Sequence, residues 1–213
     1  PWYPEAFVLR NIQETEIEKW GIYEQGKVYL QSLSSMLPVL LLEPKKNVDI
    51  LDMAAAPGGK TTQLAALTQN TANITACEMN KMRAERLKYN IEKQGASSVY
   101  VMVTDSRKLD SYFSFDQILL DAPCSGSGTI TVGERRKFTK EWLEKINYTQ
   151  FTLLQKAISL LKPGGTMVYS TCSILSCENE EIVKKVLKPG KIELEPLPIE
   201  NLPIPQLPTK LSG

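Results

Sequence analysis

The chain has 213 residues, a formal net charge of +1 and 42% hydrophobic residues, which suits one sizeable domain with a buried core. So small a net charge excludes a global basic field, and a nucleic-acid partner would have to meet a local patch. No residue is histidine, which removes Ser-His-Asp and Cys-His catalysis and every His-ligated metal site, leaving Asp, Glu, Lys, Tyr, Cys or water as general bases.

Residues 1–45 read as a lead-in that packs on the core, with Trp2, Tyr3 and Phe7 near Pro1 and Pro4. Gly21–Gln31 alternates enough to predict a short hairpin. Gln31–Leu42 predicts a serine-capped helix, with Pro38 in its first turn or kinking it. Leu37–Leu42 is the longest apolar stretch and is far too short to cross a bilayer, and nothing resembles a signal peptide, so no membrane role is expected.

From Val48 the pattern becomes regular. Strands are predicted at 48–53, 73–78, 99–104, 115–121 and 166–170, with helices at 60–69, 81–94, 142–161 and 178–187 between and after them. A short sixth strand is expected at Ile192–Leu194. Such alternation implies an α/β domain over 46–195 with a doubly wound, mostly parallel sheet. Six of the thirteen prolines follow Lys188, so 196–213 is expected to be an extended, Pro-rich tail. The four cysteines (Cys77, Cys124, Cys172, Cys177) lack paired C-x-x-C spacing. They argue against a metal site or disulfide framework and for reduced thiols in the cytoplasm.

The chemistry is expected beyond the carboxyl ends of the strands, where open α/β sheets bind ligands. Strand one runs into Ala54-Ala55-Ala56-Pro57-Gly58-Gly59-Lys60, a tight turn that opens a helix and offers backbone N–H groups to a ligand. It matches neither Gly-x-Gly-x-x-Gly nor Gly-x-x-x-x-Gly-Lys-Ser/Thr. Strands two, three and four end at Glu78, Asp105 and Asp121, and strand five at Cys172. Glu78 suits a ribose diol and Asp105 an adenine amine. Each acid alone reads more readily as a cap on the following helix, and together they favour an adenosine ligand.

Two further stretches stand out. Asp121-Ala-Pro-Cys124 resembles the Asp-Pro-Pro-Tyr turn of enzymes that methylate exocyclic amines, with cysteine in the aromatic position. Tyr169-Ser-Thr-Cys172-Ser places a second thiol at the tip of the next strand. A free cysteine is usually a small buried hydrophobe, but two at neighbouring strand ends beside an acid are harder to read that way.

Asp52-Met-Ala-Ala-Ala-Pro-Gly-Gly-Lys-Thr, Leu119-Leu-Asp-Ala-Pro-Cys-Ser-Gly-Ser-Gly, Val168-Tyr-Ser-Thr-Cys-Ser and Glu178-Asn-Glu together resemble the Sun/Nop (NSUN-type) RNA cytosine-5 methyltransferases, over about Gly21 to Glu195. The resemblance implies a Rossmann-like class I methyltransferase that uses S-adenosylmethionine and a tRNA or rRNA substrate, acting as a monomer without metal. It implies a cofactor site from Ala54 to Lys60 with Glu78, Asp105 and Asp121. Cys172 would be the nucleophile that adds to cytosine C6, and Cys124 would assist release of the product. Asp121 can meet the N3/N4 edge of the base, with Lys60 orienting it. Members commonly carry an RNA-binding extension and finish in a strand reading roughly Gly-Phe-Phe-Val-Ala. Neither is visible here, so the chain is expected to be a catalytic core or part of a longer one.

The rival readings are an exocyclic-amine methyltransferase using Asp121-Ala-Pro-Cys124, and an RNA-binding assembly factor that keeps the fold without turnover. RNA is expected to approach over Arg135, Arg136, Lys137 and Lys140 beside Phe138 and Trp142, a stretch that also reads as a solvated loop and helix start.

Overall fold

The computed structural model describes residues 3–131, 133–187 and 192–195. Five strands form one sheet: β1 (Asp49–Asp52), β2 (Asn73–Cys77), β3 (Val99–Met102), β4 (Phe115–Asp121) and β5 (Leu161–Ser170). Their order is β3-β2-β1-β4-β5 and every pairing is parallel. The chain winds outward from β1 to β3, then crosses back to β4. The order therefore reverses between β1 and β4, and the crevice beyond their carboxyl ends is where such a sheet takes a ligand.

Both faces of the sheet are covered, which is why its strands read as continuous apolar runs rather than alternating ones. On one side Ile50, Ile74 and Leu119 pack with residues of α3 (Leu33–Leu42), α4 (Gly59–Leu67) and α5 (Lys81–Lys93), among them Val39, Leu64 and Leu87. On the other side Leu51, Ile118 and Leu120 meet Leu153, Leu154 and Leu160 of α6 (Lys140–Leu160) and Ile182 of α7 (Glu180–Val186). Each such side chain, fully buried, contributes roughly 1.5–3 kcal/mol.

Ser32 caps α3 by accepting from the Ser35 amide, and Pro38 lies inside the helix, past its first turn. The expected hairpin over Gly21–Gln31 is not formed. Two short helices, α1 (Glu14–Ile17) and α2 (Gly21–Glu24), stand in the lead-in instead. Gly26, at φ +68°, lets the Lys27 amide bond back to the Ile22 carbonyl at 2.8 Å, so this glycine closes a helix rather than turning a strand. The Tyr23 ring of α2 sits 3.7 Å beneath Lys93 Nζ at the end of α5.

Two expectations near the C-terminus also change. Glu178 ends a 3₁₀ turn, Ser176–Glu178, and α7 begins only at Glu180. Asn179, at φ −120° and ψ −99°, interrupts the run that reads as one helix. Ile192–Leu194 forms no strand among the described residues. Pro189 and Pro196 flank it and lack the N–H needed to extend a ladder, leaving a segment too short to pair. The expected extended tail at 196–213 lies outside the described residues.

β4 and β5 pair from Phe115↔Leu161 to Asp121↔Ser170, with a register shift between Phe115 and Gln117 that takes up the extra residues of β5 around Pro163-Gly164-Gly165. The register matters for the site because it sets Asp121 directly opposite Ser170.

Candidate active site

The turn after β1 is fixed by its surroundings. Gly58 takes φ +112° at the start of α4, and a Cβ there would sit 3.0 Å from Leu87 Cδ1. A Cβ on Gly59 would lie 2.8 Å from the Tyr29 ring, so the lead-in closes directly over this turn. The Ala55 amide donates to the Cys77 carbonyl at 2.9 Å. Arg83 Nη2 and Asn90 Nδ2 of α5 donate to the Ala56 and Pro57 carbonyls, each at 2.8 Å. Held this way, the first turn of α4 aims its N–H groups past the end of the sheet.

Asp52, at the end of β1, is buried and accepts from Thr61 Oγ1 at 2.7 Å. Burial pushes its carboxyl up to about 6, against the pull of the Thr61 hydroxyl and the Lys60 charge. Lys60 reaches across the crevice, with Nζ 2.8 Å from Asp121 Oδ2. The other oxygen, Oδ1, accepts from Ser170 Oγ at 2.7 Å. A lysine from the first motif and a serine from the third thus brace the aspartate of the second.

Just beyond this aspartate the two thiols meet, with Cys124 Sγ 3.1 Å from Cys172 Sγ. Cys172 is exposed, whereas Cys124 is half-buried. Burial, with the Cys172 sulfur beside it, pushes the Cys124 thiol up to about 12, which keeps it protonated at neutral pH. Cys77 is the buried last residue of β2 and Cys177 lies in the 3₁₀ turn, so neither joins the pair.

Glu178 lies behind the thiols, fully buried. Its Oε1 accepts from the Ser125 amide at 2.8 Å and from Gln150 Nε2 at 3.1 Å, while Oε2 accepts from the hydroxyls of both Ser125 and Ser173. Burial alone would raise its pKa. The bonds from Ser125, Ser173 and Gln150 outweigh burial and hold the carboxyl below its ordinary range. Gln150 lies on α6, so three segments meet at one carboxylate.

The remaining acids follow the strand order. Asp105 and Glu78 follow β3 and β2, the Ala54–Gly59 turn follows β1, and Asp121 ends β4; these strands are neighbours in that sequence and span about 14 Å across the sheet, so the four segments form an arc in that order. Glu78 is buried, accepts from the Asn80 amide at 2.8 Å and pairs with Arg83 at 3.2 Å. Asp105 caps the 3₁₀ turn Ser106–Lys108 and holds Arg107 at 2.6 Å, and that hydrogen-bonded guanidinium keeps its carboxyl below the usual range. Both acids therefore serve the turn that follows their strand. Ser106 Oγ donates to the Met53 carbonyl at 2.7 Å and ties the β3 end to the β1 end.

The basic stretch after the Cys124 loop is divided in its contacts. Arg136 is engaged, 2.6 Å from Glu134 and 3.3 Å from the Gly126 carbonyl. Arg135 and Lys137 are exposed and form no ion pair among the described residues, and Lys140 stands 3.9 Å from Glu144. Phe138 and Trp142 stack with ring centroids 5.8 Å apart.

Of the residues singled out in the sequence, Lys60 and Asp121 are joined by an ion pair and Cys124 and Cys172 by their sulfurs, while Glu78 and Asp105 each hold an arginine of their own. Ser170, Ser125, Ser173, Gln150 and Arg83 carry no expectation from sequence, and Glu178 none beyond its place in a motif. One signal was available, since Cys124-Ser125 and Cys172-Ser173 are the same dipeptide at the ends of adjacent strands.

The family model for the 16S rRNA methyltransferase RsmB/F matches residues 39–208. The ribosomal RNA small subunit methyltransferase F of Cronobacter sakazakii is 39% identical over 210 residues, covering 95% of this chain and 44% of that protein. A tRNA (cytosine(49)-C(5))-methyltransferase of Pyrococcus abyssi is 40% identical over 186 residues, covering 84% of this chain and 59% of its own. Among solved structures, NSun6 from Pyrococcus horikoshii with SFG superposes with a TM-score of 0.74 at 38% identity, over 79% of this chain and 44% of that one. The chain thus spans only part of the length of these proteins, from 44% to 59%. The parallel sheet with helices on both faces is the Rossmann-like fold of class I methyltransferases. With its motifs in order, and with the model matched over residues 39–208, the chain belongs to the RsmB/F group of the Sun/Nop RNA cytosine-5 methyltransferase family.

Proposed function

We propose that this chain transfers a methyl group from S-adenosylmethionine to C5 of cytosine in ribosomal or transfer RNA, through a covalent bond between Cys172 and C6 of the base. The observation that carries this reading is the thiol pair, 3.1 Å apart, beside an aspartate braced by Lys60 and Ser170. Family membership and the SFG complex of NSun6 support the choice of cofactor. The arc supports it too: a continuous row of a buried acid, backbone donors and a second acid suits an amino-acid and nucleoside ligand of that length. In this reading the α4 turn holds the methionine end, Glu78 the ribose and the Asp105 side the adenine. When bound, S-adenosylmethionine supplies an electrophilic methyl on a sulfonium sulfur.

Cytosine C5 is a poor nucleophile, and this chain's residues supply what it lacks. The Cys172 thiolate bonds to C6 and drives electron density to C5, which then takes the methyl. Asp121 accepts from the amino edge of the base and favours that flow, while Lys60 and Ser170 keep its two oxygens in place. The protonated Cys124 donates toward Cys172 Sγ and steadies the thiolate beside it. C5 next loses its proton, the C5–C6 double bond re-forms and the Cys172–C6 bond breaks. Cys124 assists this last stage, by taking the proton or by holding the water that does.

Single-turnover reactions with tritiated S-adenosylmethionine and transcripts of small-subunit rRNA and tRNA test the proposal. Cys172→Ala should abolish both methylation and the RNA adduct. Cys124→Ala should transfer the methyl and then stall as a protein–RNA adduct on a denaturing gel. An adduct accumulating in Cys172→Ala while Cys124→Ala is inert would reverse the roles. Absence of 5-methylcytosine from the wild-type reaction, with label instead on an exocyclic amine, would replace the mechanism.

A further inference from the structure

β4 and β5 are hydrogen-bonded as far as Asp121↔Ser170, and the Ala122 amide adds one more bond, to the Ser170 carbonyl at 2.8 Å. Beyond that rung the ladder stops. Cys124 and Cys172 lie past it, on two loops of different course, one continuing into the Ser127–Thr129 turn and the other into Ser176–Glu178. Loops leaving the end of a sheet usually diverge and move independently, yet these hold two sulfurs at 3.1 Å.

The tie that replaces the ladder is a set of side chains built on the repeated Cys-Ser dipeptide. Ser125 and Ser173 immediately follow the two cysteines, and both hydroxyls donate to Glu178 Oε2. Oε1 takes the Ser125 amide and Gln150 Nε2, and Gln150 Nε2 also lies 2.9 Å from the Pro123 carbonyl, on the other side of Cys124. Ser127 Oγ meets Ser173 Oγ at 2.9 Å, and the Gly128 amide donates to the Cys172 carbonyl at 3.0 Å. Asn179 Nδ2 holds the Ser173 and Leu175 carbonyls at 3.0 Å each, and Tyr169 Oη donates to the Glu178 carbonyl at 2.7 Å, which fixes the 3₁₀ turn carrying the carboxylate.

A carboxylate is the only small side chain that can accept four such bonds at once, since it has two oxygens and no proton to donate. An amide would turn a donor toward one of these donors. An alanine would leave the buried Ser125 amide without its acceptor and both hydroxyls without their charged one. Glu178 is fully buried, and its carboxylate bonds to Ser125, Ser173 and Gln150 and to neither sulfur. It acts on the thiols only through the serine beside each of them.

We propose that Glu178, through Ser125 and Ser173, is a positioning residue that sets the distance and mutual orientation of the Cys124 and Cys172 thiols. For catalysis this rests on the two-thiol reaction proposed above, whereas the geometric claim stands apart from it. Nucleophile addition and the later release of the same bond both need the second thiol within reach, and a misplacement of about 1 Å at a reacting centre costs on the order of 100-fold in rate.

The test reads the thiol separation without RNA or cofactor. Diamide takes two electrons and two protons from a thiol pair, leaving as the hydrazine while the Sγ–Sγ bond forms, so its rate of closing Cys124–Cys172 reports how often the sulfurs meet. The rate is followed by mass mapping of the Cys124–Cys172 peptide pair in wild type, Glu178→Gln, and the Ser125→Ala/Ser173→Ala double variant. The double variant removes no charge and keeps the core, so it answers even if Glu178→Gln folds poorly. We expect closure at least tenfold slower in the double variant, while its affinity for S-adenosylmethionine, measured calorimetrically, stays within twofold. Methyl transfer should fall by a similar or larger factor in kcat, with KM for RNA little changed. Closure as fast as in wild type would overturn the positioning role, whatever happens to methylation. Slow closure with undiminished methylation would keep the geometry and overturn the two-thiol mechanism instead. A parallel loss of closure, cofactor affinity and thermal stability would reduce Glu178 to general structural support.

Discussion

Lys60 Nζ lies 2.8 Å from Asp121 Oδ2, so the first turn of α4 and the last residue of β4 share one ion pair across the crevice where the strand order reverses. The pair is partly accessible, with the lysine side chain 17% and the aspartate 33% exposed, so its contribution to stability is small. Its consequence is directional. With Ser170 on the other oxygen, the aspartate has one orientation, and that orientation faces the space beside the thiols.

Lys60→Met keeps the length and packing of the side chain and removes the charge. Methyl transfer in a single turnover should drop roughly 100-fold, the scale seen when one preorganised group is removed from a transition-state site. Cofactor affinity should change much less. Transfer within threefold of wild type would mean that Ser170 alone suffices to hold Asp121.

Glu78 is expected to accept two ribose hydroxyls in addition to the Asn80 amide and Arg83 that it already holds. Glu78→Gln keeps an acceptor for Asn80 and loses the charge. Two bonds at about 1 kcal/mol each correspond to roughly 30-fold weaker S-adenosylmethionine binding. Wild-type affinity by calorimetric titration would place the ribose elsewhere.

Asp52 makes stability depend on pH in an unusual direction. Its carboxyl stands at about 6 in the folded chain against 3.8 ordinarily, so between those values the folded chain binds the extra proton. Stability contributed by this group therefore rises as pH falls from above 6 toward 4, by up to about 3 kcal/mol. Asp52→Asn retains an acceptor for Thr61 and should be more stable than wild type at pH 7.5, with the gap closing near pH 4.5. Urea midpoints at the two pH values measure this, and an equal gap at both would refute it.

Arg135 and Lys137 are the exposed cations beside the Phe138–Trp142 stack, whereas Arg136 is committed to the loop through Glu134 and Gly126. If RNA phosphates lie along this edge, neutralising Arg135 and Lys137 together should flatten the slope of log affinity against log salt by about two. An unchanged slope would move the RNA path to another surface. Arg136→Ala would be a poor substitute, because it also releases the Gly126 turn.

The sequence by itself determined the α/β class and the five strands of the sheet. Strand periodicity, the glycine pair at 58–59 and the acids ending strands are local properties, and each is written in adjacent residues. It misread segments whose fate depends on distant partners. The start of Gly21–Gln31 became a short helix, Gly21–Glu24, closed by Gly26 against α5, and Glu178 left its helix for a 3₁₀ turn. Only the tertiary structure decided which motif residues meet. Lys60 and Asp121 are 61 positions apart and Ser125 and Glu178 are 53 apart, and a parallel sheet joins such residues through crossovers that leave no mark in the local pattern. The strand order made an arc of Asp105, Glu78 and the glycine turn. The β4–β5 register then placed two Cys-Ser pairs opposite each other, where one buried carboxylate could hold both.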